Sequence, residues 1–98
     1  MSEASVLQAI RERKLLEFWY HGSSRVAEPH VYGVQGGERH LLTFQVGGVS
    51  RSGRLPGWRR FRLAEMSSIR VLPEQFEGPR DESQTRSASF DDIIAVVV

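Results

Sequence analysis

The sequence predicts a mainly-β domain: a small, strongly bent five-stranded barrel with a short N-terminal α-helix and an extra C-terminal strand. Three observations predict it. Apolar residues change from a helical to an alternating period near residue 15. Five short strand-like runs then follow at regular spacing, separated by glycine-bearing turns. The last six residues, Ile93 to Val98, are apolar on both strand faces and must be covered. Closure is expected because a flat sheet with one helix leaves an open apolar face and two bare edges.

Residues 5–14 read as the helix. Ser5 and Gln8 fit a capping box, and Val6, Leu7 and Ile10 form a narrow apolar stripe. Ten residues are marginal as an isolated helix, so this one must dock. Leu15 to His21 alternates, with Leu16, Phe18 and Tyr20 on one face. Gly22-Ser23-Ser24 reads as a turn, and Arg25 to Val34 as the second strand, where Pro29 argues for an edge or a bulge. Gln35-Gly36-Gly37 is the next turn, and Glu38 to Val46 the third strand, with Leu42, Phe44 and Val46 on one side. A long loop, Gly47 to Gly57, leads to strands at Trp58–Leu63 and Ile69–Leu72. The stretch Ala64 to Ser68 has room for one helical turn. The organisation is a β domain over residues 1–76, a polar linker or loop over 77–89, and a strand over 90–98 that pairs within the chain or with another chain.

Length allows one domain: 98 residues make a single small core. Without cysteine there are no disulfides and no thiolate metal sites. No apolar run reaches membrane-spanning length, and the first residues lack the apolar core of a signal peptide, so the cytoplasm is expected. The net charge of +1 hides a gradient. Residues 1–70 hold 11 basic and 6 acidic residues, whereas 71–98 hold 2 and 6. Twelve of the thirteen basic residues are arginine, and asparagine is absent, a pattern that GC-rich coding also produces.

Little in the chain points to catalysis. His21, His30 and His40 fall one per strand or turn, without metal-ligand spacing. Gly47–Gly53 lacks a nucleophile elbow. Gly48, Gly53 and Arg54 have P-loop spacing, but Leu55 stands where Ser or Thr is needed and a strand follows instead of a helix. Asp91 and Asp92 point to opposite strand faces and make no acid–base dyad. No enzyme, cofactor or metal is expected.

The strongest signal is basic. Arg51, Arg54, Arg59, Arg60 and Arg62 fall within twelve residues that contain no acid, with Trp58 and Phe61 interleaved. In a strand, Phe61 and Leu63 face the core while Trp58, Arg60 and Arg62 share the opposite face. Adjacent guanidinium and aromatic groups suit a phosphate and a base. A solvated basic face, with Trp58 packed across one end of the domain, is the other reading.

Three stretches resemble the WYL domain family. They are LLEFWYHGSSRVAEPHVYG at 15–33, FQVGG at 44–48 followed by SRSG, and WRRFRLAEMSSIRVLPEQF at 58–76. The resemblance as a whole extends over about residues 5–80. The member is atypical: the naming Trp-Tyr-Leu tripeptide is absent, His40-Leu41-Leu42-Thr43-Phe44 fills the third strand, and Ala64 and Glu65 replace the acid and arginine that commonly follow the fourth. The chain holds no winged-helix or helix-turn-helix segment, which usually precedes the domain in bacterial transcription regulators, and is expected to stand alone.

The resemblance implies an SH3/Sm-like barrel and a ligand-sensing module. It implies Arg25, Arg60 and Arg62 as site residues, and His30 as a weaker candidate. For Arg25, a salt bridge to Glu28 or Glu17 is the competing role, and for Tyr20 and Tyr32, core packing with a satisfied hydroxyl. The expected function is non-enzymatic binding of single-stranded nucleic acid or a nucleotide-like anion, with transcriptional regulation as the setting the resemblance implies. The expected site is Arg25, Arg51, Arg54, Trp58, Arg60, Arg62 and His30. Expected partners are that ligand, a second copy in a homodimer or higher oligomer, and a separate DNA-binding protein; no membrane is expected. The alternative is an interaction module that self-associates or pairs with a partner through the C-terminal strand.

Overall fold

The computed structural model describes residues 2–50, 53–81 and 89–98. One helix, α1 (Ser2–Glu12), precedes β1 (Lys14–Tyr20), β2 (Ser23–Gln35), β3 (Glu38–Gly48) and β4 (Gly57–Arg62). A 3-10 turn at Leu63–Glu65 leads to β5 (Met66–Gln75), and β6 (Asp92–Val96) follows near the end of the chain. All pairings are antiparallel, in the order β4-β3-β2-β1-β5, with β6 added to β2. The mainly-β class, the leading helix and the extra strand are therefore present. No helix among the described residues is long and apolar enough to cross a membrane.

The expected SH3/Sm-like barrel is corrected: the sheet is not closed. Its path ends at β4 on one side and β5 on the other, and no ladder joins them among the described residues. The sheet is nonetheless sharply bent. Phe61 on β4 meets Phe18 and Tyr20 on β1 with ring centroids 4.9 and 4.7 Å apart. In a flat sheet those strands would be about 14 Å apart, three spacings of roughly 4.8 Å. The Tyr20 hydroxyl also accepts a hydrogen bond from the Arg62 backbone N–H at 3.2 Å. Full closure is unnecessary because α1 covers the concave side. Val6, Ala9 and Ile10 are buried there against Leu16, Phe18, Ala27, Tyr32, Leu41, Phe61 and Met66.

The helix starts earlier than its sequence signal. Ser5 lies inside α1 instead of capping it, and Gln8 donates to Glu12 at 3.4 Å. The earlier start brings Glu3 into the first turn, where its carboxylate meets the positive end of the helix dipole. Glu3 also accepts from the Tyr32 hydroxyl at 2.7 Å and from Arg39 at 2.8 Å. These two long-range bonds fix the helix end to β2 and β3.

Strand β2 organises the sheet. Its first part, Ser23–Ala27, pairs with β1, and its second, Val31–Val34, pairs with β6. Pro29 lies between the two ladders, where its missing N–H deprives neither β1 nor β6 of a donor. The β2–β3 register shifts there, between Pro29 and Val31, as a bulge. The hairpin turns at His21-Gly22 and Gly36-Gly37 both have positive φ at their two central residues, which matches the twist of the strands they join.

At the far end of β3, Gly48 has φ +81° and lies opposite Arg25. A Cβ there would stand 2.7 Å from the Arg25 Cα and overlap the Ser24 carbonyl. Gly48→Ala is therefore expected to destabilise the domain by at least about 2 kcal/mol, from the left-handed backbone plus the overlap, read by urea unfolding. An unchanged midpoint would show that β2 and β3 do not need this close approach.

Candidate functional site

The β3–β4 register settles which side chains share a face. Trp58, Arg60 and Arg62 lie opposite Phe44, Leu42 and His40, while Phe61 lies opposite Leu41 on the core side. Trp58, Arg60 and Arg62 are thus together. Trp58 is half-buried, edge-on to His30 at 5.0 Å and to Phe44 at 5.4 Å.

The arginines are unequal in their availability. Arg62 is exposed and bridges Glu38 and Glu65, each at 3.4 Å. Arg60 donates to His40 Nδ1 at 3.3 Å and to Ser89 Oγ, and its guanidinium lies 3.9 Å from the centre of the Phe90 ring. Burial lowers its pKa from the usual arginine value. Arg54 is exposed on the loop before β4 and has no ion-pair partner among the described residues. Arg59 is structural: it donates to Ser50 Oγ and to the carbonyls of Trp58 and Arg54, tying the loop to β4. Arg51 lies outside the described residues.

Two expected site residues lie elsewhere. Arg25 is 5% exposed on the concave side, where it donates to the Tyr20 carbonyl at 3.2 Å. Its guanidinium lies 5.7 and 5.6 Å from the Tyr20 and Phe61 ring centres. The carboxylates expected as its partners are engaged by others: Glu17 with Arg70 at 2.5 Å and Glu28 with Arg80 at 2.9 Å. Both tyrosines have satisfied hydroxyls. For Tyr32, burial and then Glu3 raise the pKa to about 12.

His30, the second, is fully buried between Trp58 and Phe76. Its Nε2 lies 3.1 Å from Glu28 Oε1, so the proton sits there and Nδ1 is a buried acceptor with no hydrogen-bond partner among the described residues. Burial pulls its pKa down, against the upward pull of Glu28, and keeps the imidazole neutral.

The Glu28–His30–Arg80 cluster has no sequence signal. Arg80 reaches across 52 positions to grip both Glu28 oxygens, at 2.9 and 3.0 Å, while its guanidinium lies 3.8 Å from the Phe44 ring centre. Burial pushes the Glu28 carboxyl up, but the bonds from Arg80 and His30 outweigh it and leave the pKa below the ordinary value. A cleft of about 300 Å³ opens beside this pair, lined by Leu15, Glu28, Val46, Phe76 and Arg80 among others. The contacts of Ser89 and Phe90 with Arg60 are equally long-range and equally silent in sequence. Residues 82–88, which carry most of the expected linker, lie outside the described residues. Among those described, no three His, Asp or Glu side chains gather as metal ligands.

These features define a small, bent, open antiparallel sheet, covered by one helix on its concave side and presenting an arginine–aromatic row on the other. The same fold occurs in Proteasome accessory factor B/C (PafBC) of Arthrobacter aurescens, with a TM-score of 0.72 at 22% identity over 92% of this chain. The chain spans 14% of the length of that protein, and at this identity the likeness shows the fold alone. No family model matches the chain, and no curated protein does.

The buried groups make stability depend on pH and on Arg80. His30 and His40 both have pKa values lowered first by burial, so the unfolded chain binds their protons more tightly than the folded one. Stability is then lost as pH falls below about 6.5, the ordinary histidine value. Thermal melts from pH 7.5 to 5 should show a falling Tm, with a shallower fall in His30→Gln; equal slopes would remove His30 from the linkage. Arg80→Ala leaves the Glu28 carboxylate buried without its fork and should cost about 1–2 kcal/mol, a value discounted for the partial exposure of Arg80. Chemical denaturation of R80A, E28Q and the double variant measures the coupling.

Proposed function

We propose that the chain is a non-enzymatic binding module of the WYL type, and that the row formed by Trp58, Arg60 and Arg62, with Arg54 on the adjoining loop, takes single-stranded nucleic acid or a nucleotide-like anion. The observation that carries this reading is the shared face of Trp58, Arg60 and Arg62 across β4. A guanidinium fork neutralises phosphate, and a neighbouring indole offers a stacking surface tolerant of any base. Arg25 and His30 support the row from within the fold and are not expected to touch the ligand. Occurrence of the fold as a small part of the much longer PafBC fits a module that can work within a larger protein.

Binding through phosphate contacts weakens with salt by about 0.7 log units of affinity per log unit of salt for each contacted phosphate on a single strand. Titration of a twelve-nucleotide oligothymidine, followed by tryptophan fluorescence, should therefore saturate and depend on salt. Arg60→Ala with Arg62→Ala should weaken it about tenfold or more and lower the salt slope by about 1.4. Unchanged affinity and slope would remove these arginines from the site.

A second reading has its own observation. Strand β6 pairs with β2 in the same chain, yet Ile93, Ile94 and Val96 remain 40–49% exposed on it. That edge suits strand addition by a partner or a second copy. Light scattering tests it: a concentration-dependent dimer that Ile94→Lys abolishes supports it, and a monomer at all concentrations argues against it.

A further inference from the structure

Arg60 already holds a ligand supplied by its own chain. Its guanidinium lies 3.9 Å from the Phe90 ring centre, and Nη1 bonds Ser89 Oγ. A ring against the guanidinium and an oxygen bonded to it are what a nucleotide presents to arginine: a base to stack and a phosphate to bond. The mimicry is incomplete in one respect. Arg60 Nη2 is buried with no hydrogen-bond partner among the described residues. The single serine oxygen serves one arm of the fork; a phosphate offers an oxygen to each.

The segment is seated by features independent of Arg60. Asp91 N–H donates to the Val34 carbonyl at 2.8 Å, and Asp91 Oδ2 accepts from Gly36 N–H at 2.8 Å. On β2, Gly33 leaves room for the ring: a Cβ there would stand 2.8 Å from Phe90 Cδ1 and overlap the Asp92 carbonyl. The β6 ladder and the Val97–His30 bond, 2.9 Å, hold the remainder. Ser89 and Phe90 thus lie at the edge of a docked strand, where they can leave Arg60 without dismantling β6.

Resting on the nucleic-acid reading above, we infer that Ser89–Phe90 is an intramolecular competitor for the Arg60 site, displaced when a phosphate-bearing ligand with a planar ring binds. It sets the affinity threshold of the face. The ligand gains the second arm of the guanidinium fork that the segment leaves empty. Only the ring and the hydroxyl move; β6 stays paired.

The experiment uses the full chain and the same oligothymidine. Phe90→Ala and Phe90→Leu remove the π-face, and Leu keeps an apolar side chain over Gly33 should Ala loosen β6. Both should tighten binding about two- to fivefold, the strength of an exposed cation–π contact. Adding Arg60→Ala to either should abolish the gain. In the wild-type protein, the amide signals of Ser89 and Phe90 should shift on oligonucleotide addition while those of Ile94 and Val96 hold. Equal affinities for wild type and both variants, or weaker binding by both, would overturn the competitor while leaving the binding face standing. No binding by any form at low salt would overturn both.

Discussion

The structure turns on one stretch of backbone, Pro29–His30 in β2. Before it, β2 gives its free side to β1; after it, to β6. The proline has no N–H to offer, and the bulge that follows shifts the register against β3. A regular strand here would continue one ladder or the other. The break lets a single long strand carry three partners, and it turns His30 into a fully buried neighbour of Trp58 with a backbone carbonyl that receives Val97. The docking of the chain's last strand and the burial of His30 beside Trp58 both meet at that hand-over.

Burying β2 on both sides creates an electrostatic demand. Glu28 and His30 would be costly if unpaired, since a buried charge or donor loses its water. Arg80 answers it from the segment after β5, gripping Glu28 and stacking on Phe44. The arginines of this protein therefore divide into two kinds. Arg25, Arg59 and Arg80 hold backbone carbonyls, a loop or a buried carboxylate. Arg54 and Arg62 reach solvent, and Arg60 stands between the two kinds, half-buried and engaged by the C-terminal segment. Clustering in the sequence cannot separate them. Residues adjacent in a strand alternate faces, so Arg59 points away from the row that Trp58, Arg60 and Arg62 share.

Much of the local structure is legible in the sequence. The switch to a period of two locates β1, the glycine turns locate both hairpins, and Pro29 announces its bulge. Face assignment across β4 is legible too, since alternation alone puts Phe61 against the core and Trp58, Arg60 and Arg62 opposite. Closure is not. The need to hide an apolar face suggests it, yet α1 with Val6, Ala9 and Ile10 meets that need while β4 and β5 stay apart. The helix start is hidden because Ser5 and Gln8 imitate a cap, whereas the contacts of Glu3 with Tyr32 and Arg39 act over more than twenty-five positions.

The sequence by itself determined the elements and the basic row on β4, because these depend on periods of two and 3.6 that any local window contains. On β3 it did not determine the core side, where Leu41 joins the core and the more apolar row of Leu42, Phe44 and Val46 lies on the opposite face. Tertiary structure alone decided which arginines are taken up inside the fold, that Glu28 meets Arg80 across 52 positions, and that Phe90 lies on Arg60. Such pairings depend on how far the sheet bends and where β2 changes partners. They are properties of the assembled backbone, and no short stretch of residues encodes them.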